Sequence, residues 1–135
     1  MEAAKVYAKL SSAKRLQVGC VIVKDNTIIG IGYNGMPSGW DNNCEMIESD
    51  QSLKTRPEVL HAETNAIAKV AKSTNSTDGA DMFVTHAPCL ECAKLIHQAG
   101  IHNVWFGKQY RDESGINFLQ KCKIGINHVE QDIYS

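Results

Sequence analysis

Apolar and polar positions recur with a period that changes along the chain, and the changes mark the elements. Residues 2–14 are dominated by the helix formers Glu, Ala, Lys and Leu, and the spacing of Val6, Leu10 and Ala13 predicts a helix that buries that face. Residues 16–23 and 27–33 are β-branched and apolar runs separated by Lys24-Asp25-Asn26, whose Asp and Asn suit a tight turn; together they predict a hairpin. Helical spacing returns over residues 58–72, strand composition over 82–85, a helix over 89–99 stopped by Gly100, and a strand over 102–106. A weaker helix over 114–122 and a last strand over 126–130 complete the pattern. The order αββαβαβαβ requires crossover helices after the hairpin, which predicts an α/β fold with a mixed sheet covered on both faces.

Between residues 34 and 57 neither period holds. Gly, Asn, Asp, Ser and Pro dominate, and a connection of that length more often carries function than it merely joins elements. The 135 residues bound one core, so a single domain over 1–135 is expected. Fourteen basic and fifteen acidic side chains leave a net charge of -1, which excludes the bulk positive field that holds proteins on long nucleic acid. Any bound anion must be caught locally. Apolar runs such as Val21-Ile22-Val23 are far too short to span a bilayer, and the amphipathic start does not resemble a signal peptide. Five cysteines, an odd number, fit reduced thiols and a cytoplasmic location better than a disulfide framework.

Two of those cysteines carry the chemistry. His61-Ala62-Glu63 opens one predicted helix and Pro88-Cys89-Leu90-Glu91-Cys92 opens the next, so two helix N-termini are expected to converge. Cys89 and Cys92 are three apart and share a helical face, and the positive helix end favours the thiolates that zinc requires. Pro88 suits a helix start, where its missing N–H costs nothing. With His61 as third ligand and no fourth Cys or His at comparable spacing, the set suits one catalytic Zn²⁺ with an open position for water. Glu63 lies on a different side of the helix from His61 and is placed to hydrogen-bond that water. His-x-Glu alone is weak, since His128-Val129-Glu130 repeats it, but Pro-Cys-x-x-Cys following in the right order makes the pair specific.

These residues match the H-x-E and P-C-x-x-C signature of the zinc-dependent nucleotide deaminases, and the chain most resembles the deoxycytidylate (dCMP) deaminases. The resemblance runs through Val18 to Val23, Ile31-Gly32-Tyr33-Asn34-Gly35-Met36-Pro37-Ser38-Gly39, His61 to Ile67, Pro88 to Ile96 and Gln98 to Ile101. It implies a three-layer α/β/α cytidine-deaminase-like fold with a five-stranded mixed sheet. It also implies hydrolysis of dCMP to dUMP and ammonia for thymidylate synthesis, with Glu63 shuttling protons and His61, Cys89 and Cys92 holding the metal. The backbone N–H groups of Ala62 and Cys89 would lie near the base, and Asn34 would bond the sugar 3′-hydroxyl. Tyr110 and Arg111 are the candidates for the 5′-phosphate. The Gly32, Tyr33 and Gly35 loop would take dCTP as activator and dTTP as inhibitor, each with Mg²⁺, in a homo-hexamer. Cys20 and Cys44 are not expected to bind a second zinc, because the histidine-bearing insertion of relatives with one is absent. Lys69 and Lys72 are expected on a solvated face and Cys122 as a small core side chain. Two rival readings are a tRNA or single-stranded DNA deaminase and a catalytically idle zinc- or nucleotide-binding module. The balanced charge opposes the first and Glu63 the second.

Overall fold

The computed structural model describes residues 1–109 and 111–129. The elements are α1 (Glu2–Ala8), β1 (Gly19–Lys24), β2 (Thr27–Tyr33), β3 (Glu45–Ile47), β4 (Leu53–Thr55), α2 (Ala62–Ala71), β5 (Asp81–His86), α3 (Leu90–Gln98), β6 (Asn103–Lys108), α4 (Ser114–Lys121) and β7 (Gly125–His128). Five strands form one mixed sheet in the order β2-β1-β5-β6-β7, and β3 with β4 forms a separate hairpin. β1 runs antiparallel to β2 and β5, and the β5-β6 and β6-β7 pairs are parallel. Lys24 pairs with Thr27 across the first hairpin. The two residues between them, Asp25 and Asn26, have φ of 52° and 60°, the left-handed turn that matches strand twist.

The register sorts side chains between two layers. Cys20, Ile22, Met82, Val84, Val104 and Phe106 face α2, α3 and α4, which bury Ala66, Val70, Ile96 and Leu119 against them. Helix α1 lies on the opposite face, over Gly19. A Cβ at Gly19 would collide with the Ala4 carbonyl, and one at Gly32 with the Ala62 carbonyl. These two glycines bring one helix close to each face of the sheet.

The close approach of α1 corrects the predicted buried face. Val6 and Leu10 are 58% and 60% exposed, while Ala4 and Ala8 are buried, because a helix seated on Gly19 has room only for methyl groups. Ala13 is buried as expected, but in the loop after α1, against Cys44 and Val59. α1 also stops six residues short of the predicted end at residue 14. The segment expected as continuous loop contains the β3-β4 hairpin, and α2 begins at Ala62 instead of near residue 58. The delay has a backbone cause: Gly35 and Leu60 exchange two hydrogen bonds of 3.1 and 2.7 Å, which hold the approach to α2 extended. Gly100, at φ 78°, follows the end of α3 as the sequence predicts. Pro88 lies two residues before the first residue of α3, immediately ahead of its N-cap Cys89.

Candidate metal and catalytic site

His61 and Cys89 occupy equivalent places in their helices. Each is an N-cap with extended backbone, at φ -81°, ψ 152° and φ -72°, ψ 170°, so each side chain leaves its helix at the end that carries free N–H groups. The β1-β5 pairing and the Gly35-Leu60 bridge bring these two ends together. His61 Nδ1 lies 3.2 Å from Cys92 Sγ and 3.7 Å from Cys89 Sγ, and the three donor atoms fall within 4.8 Å of one another. A tetrahedral zinc with bonds of about 2.0–2.3 Å separates neighbouring ligand atoms by roughly 3.3–3.8 Å, so the spacing fits one ion. One imidazole and two thiolates are the donor set that suits it. Among the described residues no fourth His, Cys, Asp or Glu joins this group, which leaves one corner for a small ligand.

Electrostatics divide the two thiols. Hydrogen bonds from Cys92 and from His61 hold the Cys89 thiol down to about 4. The contact with Cys89, reinforced by burial, pushes Cys92 up instead, so Cys89 is the thiol that ionises first. His61 is raised by its hydrogen bond with Cys89. Glu63, in the first turn of α2, is only 5% exposed, and burial raises its carboxyl above the usual range.

These groups open on a cavity of about 210 Å³ whose wall includes Leu16, Val18, Asn34, Ala62, Val59 and Ala87. Asn34 is anchored there: Oδ1 accepts from Val18 N–H at 2.9 Å and Nδ2 donates to the Leu16 carbonyl at 2.8 Å. Of the loop assigned to nucleoside triphosphates, Gly32 lies beneath α2 and Gly35 bridges to Leu60. Tyr33 accepts from Asn65 through its carbonyl, and Lys69 Nζ sits 5.8 Å from its ring centroid. Arg111 is exposed and lies away from the cavity wall, and Tyr110 lies outside the described residues. Cys20 and Cys44 are buried and belong to no metal-ligating group among the described residues. Cys122 is only partly buried.

Glu45, Thr55 and His86 also line the cavity, and nothing in their sequence context assigns them a role. His86 completes a chain of hydrogen bonds in which Gly19 N–H donates to Thr85 Oγ1 at 3.1 Å and that hydroxyl contacts His86 Nδ1 at 2.8 Å. Burial, with the Lys108 charge on the neighbouring strand, lowers His86 to about 4. An unfolded chain takes up this proton near pH 6.5 and the folded one only near 4. His86 therefore makes stability fall as pH drops through that interval. Denaturant midpoints measured from pH 7 to 4 should show this limb in the parent and a flatter one in His86→Asn; equal slopes would show that other groups cause it.

The comparisons with known proteins agree with this geometry. The family model for the cytidine and deoxycytidylate deaminase zinc-binding region matches residues 1–108. Deoxycytidylate deaminase of Homo sapiens is 44% identical over 119 residues, which cover 83% of this chain and 65% of that protein. ComE operon protein 2 of Bacillus subtilis (strain 168) is 37% identical over 137 residues, covering 98% of this chain and 70% of the relative. The crystal structure of dCMP deaminase from the cyanophage S-TIM5, in complex with dCMP and dUMP, superposes with a TM-score of 0.88 at 42% identity, covering 95% of this chain and 92% of that one. A five-stranded mixed sheet between α1 and the three other helices, two helix ends meeting at His61, Cys89 and Cys92, and a match over residues 1–108 lead to one assignment: the chain belongs to the cytidine and deoxycytidylate deaminase family.

Proposed function

We propose that this chain hydrolyses dCMP to dUMP and ammonia, using one zinc ion held by His61, Cys89 and Cys92. One observation carries the reading: a carboxylate, Glu63, is buried beside three soft donors at the mouth of a nucleoside-sized cavity. A purely structural zinc has no use for such a base. When bound, the metal supplies Lewis-acid activation of water. The chain's own residues do the rest. Glu63 takes one proton from the attacking water and gives it to the base ring nitrogen as the C4–O bond forms, then carries the remaining hydroxyl proton to the amine, which leaves as ammonia as the C4–N bond breaks. The N–H groups of Ala62 and Cys89, free at the starts of α2 and α3, donate to the base. Val18, Val59 and Ala87 flank it and exclude bulk water, and Asn34 reaches the sugar.

Tyr110 and Arg111 are assigned the 5′-phosphate, which the net charge of -1 requires to be caught by a few local donors. The same charge favours a mononucleotide over a polynucleotide. The chain spans 65% of the length of the human relative, so the activity is a reading of this chain and not a transfer from the whole of that protein. The regulatory part of the reading is activation by dCTP and inhibition by dTTP, each with Mg²⁺, in a homo-hexamer. It rests on the Gly32 to Gly35 match and on the exposed apolar side chains of Ile47 and Trp40, which suit subunit contacts. The five free thiols accord with a cytoplasmic location, and no helix is long and apolar enough to cross a membrane among the described residues.

Ammonia release from dCMP, CMP, deoxycytidine, cytidine and a cytosine-containing oligonucleotide tests the reading, each with dCTP plus Mg²⁺, with dTTP plus Mg²⁺, and with neither. Turnover of dCMP that rises with dCTP and falls with dTTP is expected. Turnover confined to the oligonucleotide, or none in zinc-loaded protein, would overturn it.

A further inference from the structure

We propose that Gly115 is the residue that positions Cys89 as a metal ligand: with no side chain, it lets α4 seat directly on the Pro88–Cys89 backbone and so fixes where that thiolate meets His61. The proposal rests on the zinc reading above, and Gly115 acts only through Cys89.

Of the two thiol ligands, Cys89 is the less constrained by its own element. Cys92 belongs to α3 and is buried, whereas Cys89 is the N-cap, outside the helical backbone, and only partly buried. Its place therefore follows the turn that leads from β5 into α3. Few hydrogen bonds hold that turn. Ala87 N–H donates to the Lys108 carbonyl at 2.7 Å, and the Cys89 carbonyl accepts from Ala93 N–H at 2.9 Å. Between them Pro88 has no N–H to give, and its carbonyl accepts no hydrogen bond among the described residues. Packing has to place what hydrogen bonds do not.

Gly115 supplies that packing. It is the second residue of α4 and is buried. A Cβ at this position would collide with the Pro88 carbonyl oxygen and come within 2.9 Å of the Cys89 carbonyl carbon and oxygen. All of those atoms are backbone, so no side chain can turn aside and one main chain must move off the other. The rest of α4 is not free to yield. It packs on α3 and β7, buries Ile116 and Leu119, and meets the far half of α3 through an edge contact of Phe118 with His97, ring centroids 6.1 Å apart at 78°. Its start is tied by Asp112 Oδ1, which accepts from Ser114 N–H at 2.9 Å. A methyl group at 115 therefore displaces the partner held by fewer bonds, the Pro88–Cys89 turn. Metal–ligand distances tolerate deviations of only about 0.2 Å, so a shift of that turn spoils the 3.7 Å spacing of Cys89 Sγ from His61 Nδ1 while α3 and Cys92 stay in place.

The test measures zinc affinity of the folded protein by competition with a chelator, and the absorption spectrum with Co²⁺ in place of zinc, for the parent, Gly115→Ala and Leu119→Ala. Alanine is the stronger helix former, so Gly115→Ala does not weaken α4 itself. It should bind zinc about 10–100-fold more weakly and lose part of its thiolate-to-Co²⁺ absorption, under conditions where circular dichroism shows the zinc-free protein folded. Leu119→Ala opens a cavity one turn further along the same helix; it should lower the unfolding midpoint and leave zinc affinity unchanged. Parental affinity and spectrum in Gly115→Ala would overturn the proposal, and so would equal weakening in Leu119→Ala, which would trace the loss to α4 packing in general. Hydrogen exchange of the parent needs no variant. Zinc should slow amide exchange by local opening in α4 and leave α1, on the other face of the sheet, unchanged; an α4 indifferent to zinc would also overturn the proposal. A parent that binds no zinc through His61, Cys89 and Cys92 would instead remove the functional reading, and this proposal with it.

Discussion

Glu63→Gln is expected to lower kcat for dCMP by about 10²–10⁴-fold while zinc content and folding are retained, since a positioned general acid-base is worth that much. The argument begins with burial. Glu63 is 5% exposed and its carboxyl is raised mainly by desolvation, so the fold holds an acidic group where a neutral one would be easier to keep. An amide of the same shape removes that cost and leaves His61, Cys89 and Cys92 untouched, yet it cannot accept a proton and give it back. The thermal midpoint should therefore be no lower than the parent's, and metal analysis should return the same zinc per chain. Steady-state rates on dCMP, read beside those two controls, decide the point. A variant that keeps kcat within about tenfold of the parent would show that Glu63 is not the proton shuttle.

The second large effect is expected at the metal. Cys92→Ala removes a donor that is 1% exposed and 3.2 Å from His61 Nδ1, and two remaining donors do not hold a tetrahedral ion well. Bound zinc should drop to a small fraction of the parent's and activity should become undetectable. Stability supplies a separate readout. A ligand held only by the folded state contributes about 4 kcal/mol when its free concentration is about 1,000 times Kd. Chelation should lower the parent's unfolding midpoint correspondingly and leave that of Cys92→Ala unmoved. Equal responses of the two proteins to chelator would place the stabilising ion elsewhere.

Where local interactions decide the structure, the sequence is a sufficient guide. The Asp25-Asn26 turn and the Gly100 stop need only the backbone preferences of a few adjacent residues, and both are found where those preferences put them. The grouping of His61 with Cys89 and Cys92 was legible for a different reason. Their residue types are specific to metal chemistry, and their motifs open helices that a parallel crossover fold points to one end of a sheet. Glu45 had no such signature. It is one acidic residue in a polar stretch, and its burial depends on Lys14 and Arg15, some thirty positions earlier in the chain. Arg111, proposed for the phosphate, follows β6 as expected, but it is exposed and is not part of the cavity wall.

The pattern of α1 shows the same division. A spacing of four and three along residues 2–14 correctly indicates a helix near the start, but periodicity says which residues share a face, not which face meets the protein. That choice lay with Gly19, whose missing side chain draws the helix backbone so close that Ala4 and Ala8 fit beneath it and Val6 and Leu10 do not. The sequence by itself determined the order of the elements, the α/β class, the metal-binding residue types and the family, because these follow from local preference and from chemically specific motifs. Only the tertiary structure decided which helix face is buried, where the β3-β4 hairpin forms and that Glu45 stands in the cavity wall beside Asn34. Each of those depends on contacts between residues far apart in the chain, and distance along the sequence carries no record of them.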